Sequence, residues 1–220
     1  MKPLKILISF LVIIIILVYS YVQVKLKSYL KVKNIIVTSD IDKDGINDID
    51  DILEGARNEV NNKTNYKSAY YTGGFPPENE GVCTDVIWRA FMNAGIDLKS
   101  LIDNDIKNNI SKYKRVEGKP DPNIDFRRVP NLDVFMQRKT TSLTIEIIPG
   151  NIENLKHWQP GDIVTFDKPK NHTAIISNKR NKEGVPYIIH NSAPFPREDD
   201  WLVYWDENVS EIMGHYRWKY

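Results

Sequence analysis

A single cysteine, Cys83, stands among 220 residues, so neither an internal disulfide nor a zinc site built from several cysteines is available. The thiol is therefore either an inert core group or a chemical one. Excess charge is also scarce, the formal net charge being +1. Residues 1–33 hold six lysines and no acid, which leaves the remainder at −5. Residues 40–51, with six aspartates against Lys43, account for all of that. The rest of the chain is balanced, which argues against a nucleic-acid module, whose footprint is a basic excess. Nothing repeats internally, and there is no glycine-rich phosphate loop and no histidine pair at helical spacing for a metal. What is present, 41% hydrophobic and 27% charged residues, suits one globular domain.

The long apolar run is N-terminal. Ile6 to Val22 is uncharged for 17 residues and rich in Ile, Leu and Val, which meets the lower limit for a membrane-spanning helix. Tyr19, Tyr21 and Val22 lead into lysines rather than small residues, so the reading is an uncleaved single-pass anchor and not a signal peptide. Four lysines follow the segment and two precede it, which by the positive-inside rule mildly opposes export. The calcium-type loop that comes next favours the outside, and the domain is expected there, at the cell membrane and outside the cytoplasm.

Residues 40–51 read Asp-Ile-Asp-Lys-Asp-Gly-Ile-Asn-Asp-Ile-Asp-Asp. Asp40, Asp42, Asp44, Asp48 and Asp51 fall at the first, third, fifth, ninth and twelfth positions of an EF-hand loop, with Gly45 at the turn and Ile46 offering its carbonyl. Hard oxygens converging on one Ca2+ are expected, in a structural role. The alternative is an acidic turn that caps the following helix. Ile49, Ile52, Leu53, Ala56 and Val60 predict that exiting helix; residues 34–38 look extended, so the entering helix of a paired sensor is absent, and the loop resembles the single calcium loops of dockerin-like repeats.

From Cys83, the stripe Val86, Ile87, Ala90, Phe91 and Ala94 predicts a buried helix stopped by Gly95. A thiol at a helix N-terminus feels the positive end of the dipole and unpaired N–H groups, which favour its thiolate. Further on, Trp158–Phe166, Asn171–Ser177 and Pro186–Asn191 are β-branched runs between Gly, Pro, Asn and Lys clusters, and they predict consecutive antiparallel strands. His172 opens one strand and His190 closes the next, so a hairpin can bring them to one sheet edge near the thiol. Two unrelated histidines fit the same pattern.

The order Tyr-x-x-Gly-Gly, Cys at a helix start, Pro-Gly-Asp-hydrophobic, His-x-x-Ile and hydrophobic-hydrophobic-His over residues 70–191 resembles the NlpC-type bacterial cell-wall branch of the papain-like cysteine peptidases. More closely, Gly81-Val-Cys-Thr-Asp-Val-Ile, the run Asp121 to Leu132 and Gly214-His-Tyr-Arg217 resemble the bacterial domain-of-unknown-function family numbered 1287. The resemblance implies Cys83 as nucleophile, His172 as general base, His190 as the residue orienting the imidazole, and Tyr70 as the tyrosine beside the oxyanion site. Asn191 competes with His190 as orienter. The usual Asp-Cys-Ser-Gly is here Val82-Cys83-Thr84-Asp85, which puts a carboxylate, Asp85, one turn into the helix, and Asn104 to Asn151 is longer than a minimal member needs.

Leu98, Leu101, Ile102, Ile106 and Ile110 predict a second packed helix. Arg127 and Arg128 could read substrate carboxylates, or pair internally with aspartates. His215 is expected in a last strand without a catalytic role. The expected fold is α+β, with papain-like helices on an antiparallel sheet. Residues 1–33 are read as anchor, 34–62 as acidic loop and exiting helix, and 63–220 as the hydrolase domain. The expected function is a membrane-anchored monomeric cysteine hydrolase cleaving an amide bond in cell-wall peptides, with no catalytic cofactor. A wall-peptide receptor without catalysis, or an acyltransferase on the same fold, are the alternatives.

Overall fold

A computed structural model describes residues 11–19 and 30–220. Residues 11–19 are helical (α1). The rest comprises helices α2 (Asp48–Asn61), α3 (Cys83–Asn93), α4 (Leu98–Asn108), α5 (Val129–Lys139), α6 (Ile152–Leu155) and α7 (Leu202–Asn208). Eight strands accompany them: β1 (Asn65–Tyr66), β2 (Glu80–Gly81), β3 (Thr141–Ser142), β4 (Ile163–Phe166), β5 (His172–Arg180), β6 (Pro186–Asn191), β7 (Pro196–Asp199) and β8 (Ile212–Arg217).

The expected membrane anchor is corrected. Among the described residues no helix is long and apolar enough to cross a membrane. Apart from residues 11–19, the positions of the Ile6–Val22 run lie outside the described residues, and the placement at a membrane with the domain outside the cytoplasm is withdrawn with the anchor.

The α+β expectation holds at the level of a mixed fold with an antiparallel sheet. Six strands run in the order β3-β8-β4-β5-β6-β7, every neighbouring pair antiparallel. The side-chain alternation of β4, β5 and β6 divides the core in two. Ile163, Ile175 and Ile189 point to the face covered by α2, α3, α4 and α5, where Ile52, Leu53, Ile87, Phe91, Ile102 and Phe135 pack. Val164, Phe166, Ala174, Ile176 and Ile188 point to the other face, with Trp158, Leu202 and Trp205. Because α2 shares the first core with α3, the boundary expected at residue 62 does not separate two packing units. The two helices meet closely at Gly55, where an added Cβ would lie 2.9 Å from the Ala90 Cα. The long Asn104–Asn151 segment is occupied by the end of α4, α5 and the short edge strand β3.

Candidate active site

Cys83 opens α3 as its stripe requires, with Val82 extended before it and Gly95 at φ +71° after it. Asp85, three residues past Val82, accepts the Val82 N–H at 2.7 Å and so caps the first turn. The same carboxylate takes the Arg127 guanidinium bidentately, both contacts 2.7 Å, and the Trp88 indole N–H at 2.8 Å. Arg127 spends a further N–H on the Ala69 carbonyl at 2.8 Å. The pair is buried, and Asp85 is fully occupied by these donors, while Arg127 also lines the cavity at Cys83. The unusual Thr-Asp after the cysteine is thereby explained: Thr84 also points inward, its hydroxyl donating to the Arg127 carbonyl at 2.9 Å.

The sulfur meets β5 at the residue after His172. Backbone N–H groups of Thr173, Thr84 and Cys83 itself face it and favour the thiolate, but burial outweighs them and, with the charge of Asp85 added, the thiol is pushed up to about 12. Cys83 is 6% exposed. The expectation of a thiolate favoured by the helix terminus is therefore corrected: desolvation exceeds the dipole. Ile176 N–H donates toward the β4 side, to the Asp162 carbonyl. By alternation the Thr173 N–H points toward the β6 side, where the sulfur takes it. Among the described residues no hydrogen bond joins the thiol to the His172 ring.

His172 and His190 do come together. His172 Nε2 and His190 Nδ1 are 2.7 Å apart. The His172 ring lies flat on Trp205, centroids 4.2 Å apart and planes at 10°. Beyond, His190 Nε2 lies 3.4 Å from Asp199 Oδ1, at ion-pair distance, and neither atom has a hydrogen-bond partner among the described residues. An acidic side chain at this nitrogen favours the tautomer with the proton on His190 Nε2. His190 Nδ1 then accepts from His172 Nε2–H, which leaves a lone pair on His172 Nδ1, the form a general base needs. His172 is itself held well below its ordinary value, first by burial and then by His190 and Lys170.

Asn191, one residue on, points to the opposite face and donates weakly to the Thr64 and Gly81 carbonyls at 3.4 and 3.3 Å, away from the imidazoles. Of the two, it is His190 whose ring contacts that of His172. Tyr70 is also elsewhere: 57% exposed, its hydroxyl donates to Asp121 and accepts from Asn123. Tyr66 lines the cavity that holds Cys83. Its backbone pairs with Gly81 in β2 and donates to the Pro194 carbonyl at 2.9 Å. Its phenol is raised by burial and then by the charges of Cys83 and Asp85.

Two cavities flank this group. One of about 680 Å³ is lined by Cys83, Tyr66 and Asn171 together with Lys114, Arg115 and Arg128. The other, about 550 Å³, is lined by His172, Tyr66, Asn171, Trp201, Tyr204 and Trp205. Tyr66 and Asn171 belong to both. Both arginines expected to read carboxylates line the first cavity, Arg127 with its guanidinium committed to Asp85 and Arg128 more exposed. The Arg128 guanidinium donates to the Arg115 carbonyl at 3.2 Å and lies 3.7 Å from Asp125 while facing the first cavity. His215 is structural as expected: in β8 it stacks on Trp158 with centroids 3.8 Å apart, and its ring nitrogens face the Thr144 carbonyl and Asp162.

Sequence reading missed Tyr66, Asp199, Trp205 and the Lys114–Arg115 pair. Only Asp199 left a local trace, as part of the charged run Arg197-Glu198-Asp199-Asp200.

A fold and site of this kind define a family rather than a lone arrangement. Residues 53–218 match the profile described as "Domain of unknown function (DUF1287)", and the chain belongs to that family. It is similar to a protein of Escherichia coli (strain K12) described as "Uncharacterized protein YijF", 34% identical over 175 residues, covering 76% of this chain and 80% of that one.

Proposed function

We propose that the protein is a thiol-dependent hydrolase of amide bonds, on an architecture of the papain-like, NlpC type. The observation that carries this reading is the sulfur at a helix N-terminus, on the N–H of the residue that follows a histidine, with that histidine held by a second histidine and a carboxylate. His172 Nδ1 takes the Cys83 proton as the sulfur attacks the amide carbonyl. The developing oxyanion is stabilised by the Cys83 backbone N–H and the Tyr66 hydroxyl. The proton held on His172 passes to the leaving amine, and water then hydrolyses the thioester. Both resting partners are neutral, since the thiol is raised and the imidazole lowered, so proton transfer accompanies attack and does not precede it. The cations Lys114, Arg115 and Arg128 around the thiol favour a substrate that carries carboxylates, and the peptide stems of peptidoglycan are the class that the resemblance implies.

The test is digestion of purified peptidoglycan stem peptides, followed by mass spectrometry. New amine termini from the wild-type protein, absent with Cys83→Ala, support the assignment. Equal products from both proteins, or none from either, remove it. The raised thiol, without a hydrogen bond to the imidazole, favours a second reading, a receptor that binds such peptides uncleaved. Binding by wild type and Cys83→Ala alike, with no products, would establish that reading.

A further inference from the structure

The acidic loop lies ahead of the family match at residues 53–218 and takes no part in the site above. Carboxylate oxygens of Asp40, Asp42 and Asp44 lie within 4.8 Å of one another. The loop is folded about them: Asp40 accepts the Asp44 and Gly45 N–H groups at 3.2 and 3.0 Å, Asp42 accepts Asp44 N–H at 3.2 Å, and Asp44 accepts Ile46 N–H at 2.8 Å. Gly45 turns the chain at φ +96°. No lysine or arginine pairs with these aspartates among the described residues.

A second, independent observation concerns the two carboxylates beneath. Asp48 is 0% and Asp51 2% exposed, and Asp48 Oδ2 and Asp51 Oδ2 are buried with no hydrogen-bond partner among the described residues. Helix capping does not explain them. That task falls to Asn47, whose side chain accepts the Asp50 N–H at 3.1 Å. A buried oxygen without a donor costs free energy. The carboxylates of Asp40, Asp42 and Asp44, converging with no paired lysine or arginine among the described residues, add mutual repulsion that a cation relieves.

We infer that residues 40–51 bind one calcium ion through Asp40, Asp42, Asp44 and Asp51, with Asp48 supporting the loop from beneath. Oxygen donors in a flexible loop, without nitrogen or sulfur, suit Ca2+ over transition metals, and a set this rich in carboxylates needs no tight octahedron of the kind Mg2+ demands. The ion's role is structural. Asp51 O accepts the Asn93 side-chain N–H at 2.9 Å, and Gly95 approaches Asp42 so closely that an added Cβ would meet it at 2.9 Å, so the loop is clamped to the far end of α3. Eleven residues of helix separate that end from Cys83, about 16 Å, which is too far for the ion to join the chemistry.

Calorimetry on the EDTA-dialysed full chain, titrated with CaCl2, tests this together with thermal melts. The expected result is one ion per chain with Kd of about 10⁻³ M or tighter. The melting temperature should rise saturably with calcium and much less with equimolar MgCl2. Asp51→Asn and the exposed Asp42→Asn should each weaken binding at least roughly tenfold, the second without unfolding risk. No heat and no thermal shift at millimolar calcium in the folded wild-type protein would overturn the inference, as would binding unchanged in folded Asp42→Asn. Both readouts are independent of any hydrolase activity.

Discussion

His172 and His190 share one hydrogen bond of 2.7 Å, and Asp199 Oδ1 lies 3.4 Å from the far ring nitrogen of His190. One side chain, that of His190, thus separates Asp199 on edge strand β7 from His172. Asp199→Asn can donate as well as accept, so it permits the wrong His190 tautomer, while His190→Ala removes the orienter. Either change should lower kcat by about 10²-fold, the lower range of what a general base contributes, with little effect on KM. Steady-state kinetics on a cleaved peptide would show this; a change in KM alone would mean that the pair merely shapes the cavity.

A second expectation concerns pH. His172 is held below its ordinary 6.5 in the fold, so the unfolded chain takes up a proton that the native state refuses. Stability should therefore fall as pH drops from 6.5 toward the folded value. Glu198 acts in the same sense. Burial alone would raise it, but hydrogen bonds from Arg57, Lys179 and Ser177 hold it at about 2, so its contribution is full above 4.5 and is lost between 4.5 and about 2. In urea titrations, His172→Phe, which keeps a ring on Trp205, should flatten the pH 5–6.5 part of the curve and leave the more acidic part unchanged. The acid limb of kcat/KM should likewise fall below pH 6.5; a midpoint above 6.5 contradicts the neutral, buried base.

The buried Asp85–Arg127 pair predicts a stability effect. Asp85→Ala strands a guanidinium that is 2% exposed at its side chain and removes the cap of α3. The cost should be about 3–5 kcal/mol by chemical denaturation. A loss below about 1 kcal/mol, the size of a surface pair, would show that the ion pair is solvated.

Arg128, half-buried at the mouth of the thiol cavity, should act on binding. Arg128→Ala should raise KM for a carboxylate-bearing peptide by about tenfold, worth about 1.4 kcal/mol, with kcat unchanged and no effect on the corresponding peptide amide. An equal effect on both substrates would assign Arg128 to structure instead.

Much of the fold is legible in the chain. The α3 stripe and the Gly95 stop, the three strands β4 to β6, and the two histidines at strand ends follow from periodicity that burial then enforces. What is illegible depends on long-range pairing. Tyr66 and Tyr70 lie on one segment with similar neighbours, and only the bond of Tyr66 N–H to Pro194 and the pairing with Gly81 bring Tyr66 to the cavity that holds Cys83. Asp199 reaches His190 because β7 pairs with β6, Arg197 opposite His190, a register no local pattern encodes. Asp85 has a readable meaning as a capping carboxylate, yet beside the Asp-Cys-Ser-Gly pattern it looks like a departure. The apolar run near the N-terminus suggests a membrane span, whereas among the described residues no helix is long and apolar enough to cross a membrane.

The central claim is that Cys83 attacks with His172 as its base. Acetylation by p-nitrophenyl acetate, followed by stopped-flow absorbance and intact-mass spectrometry, tests it whatever the natural substrate is. The account predicts a burst of one nitrophenolate per chain and an acetyl group on Cys83, slowed about 10²-fold or more in folded His172→Ala. No adduct on Cys83, or the same rate in both proteins, would contradict it.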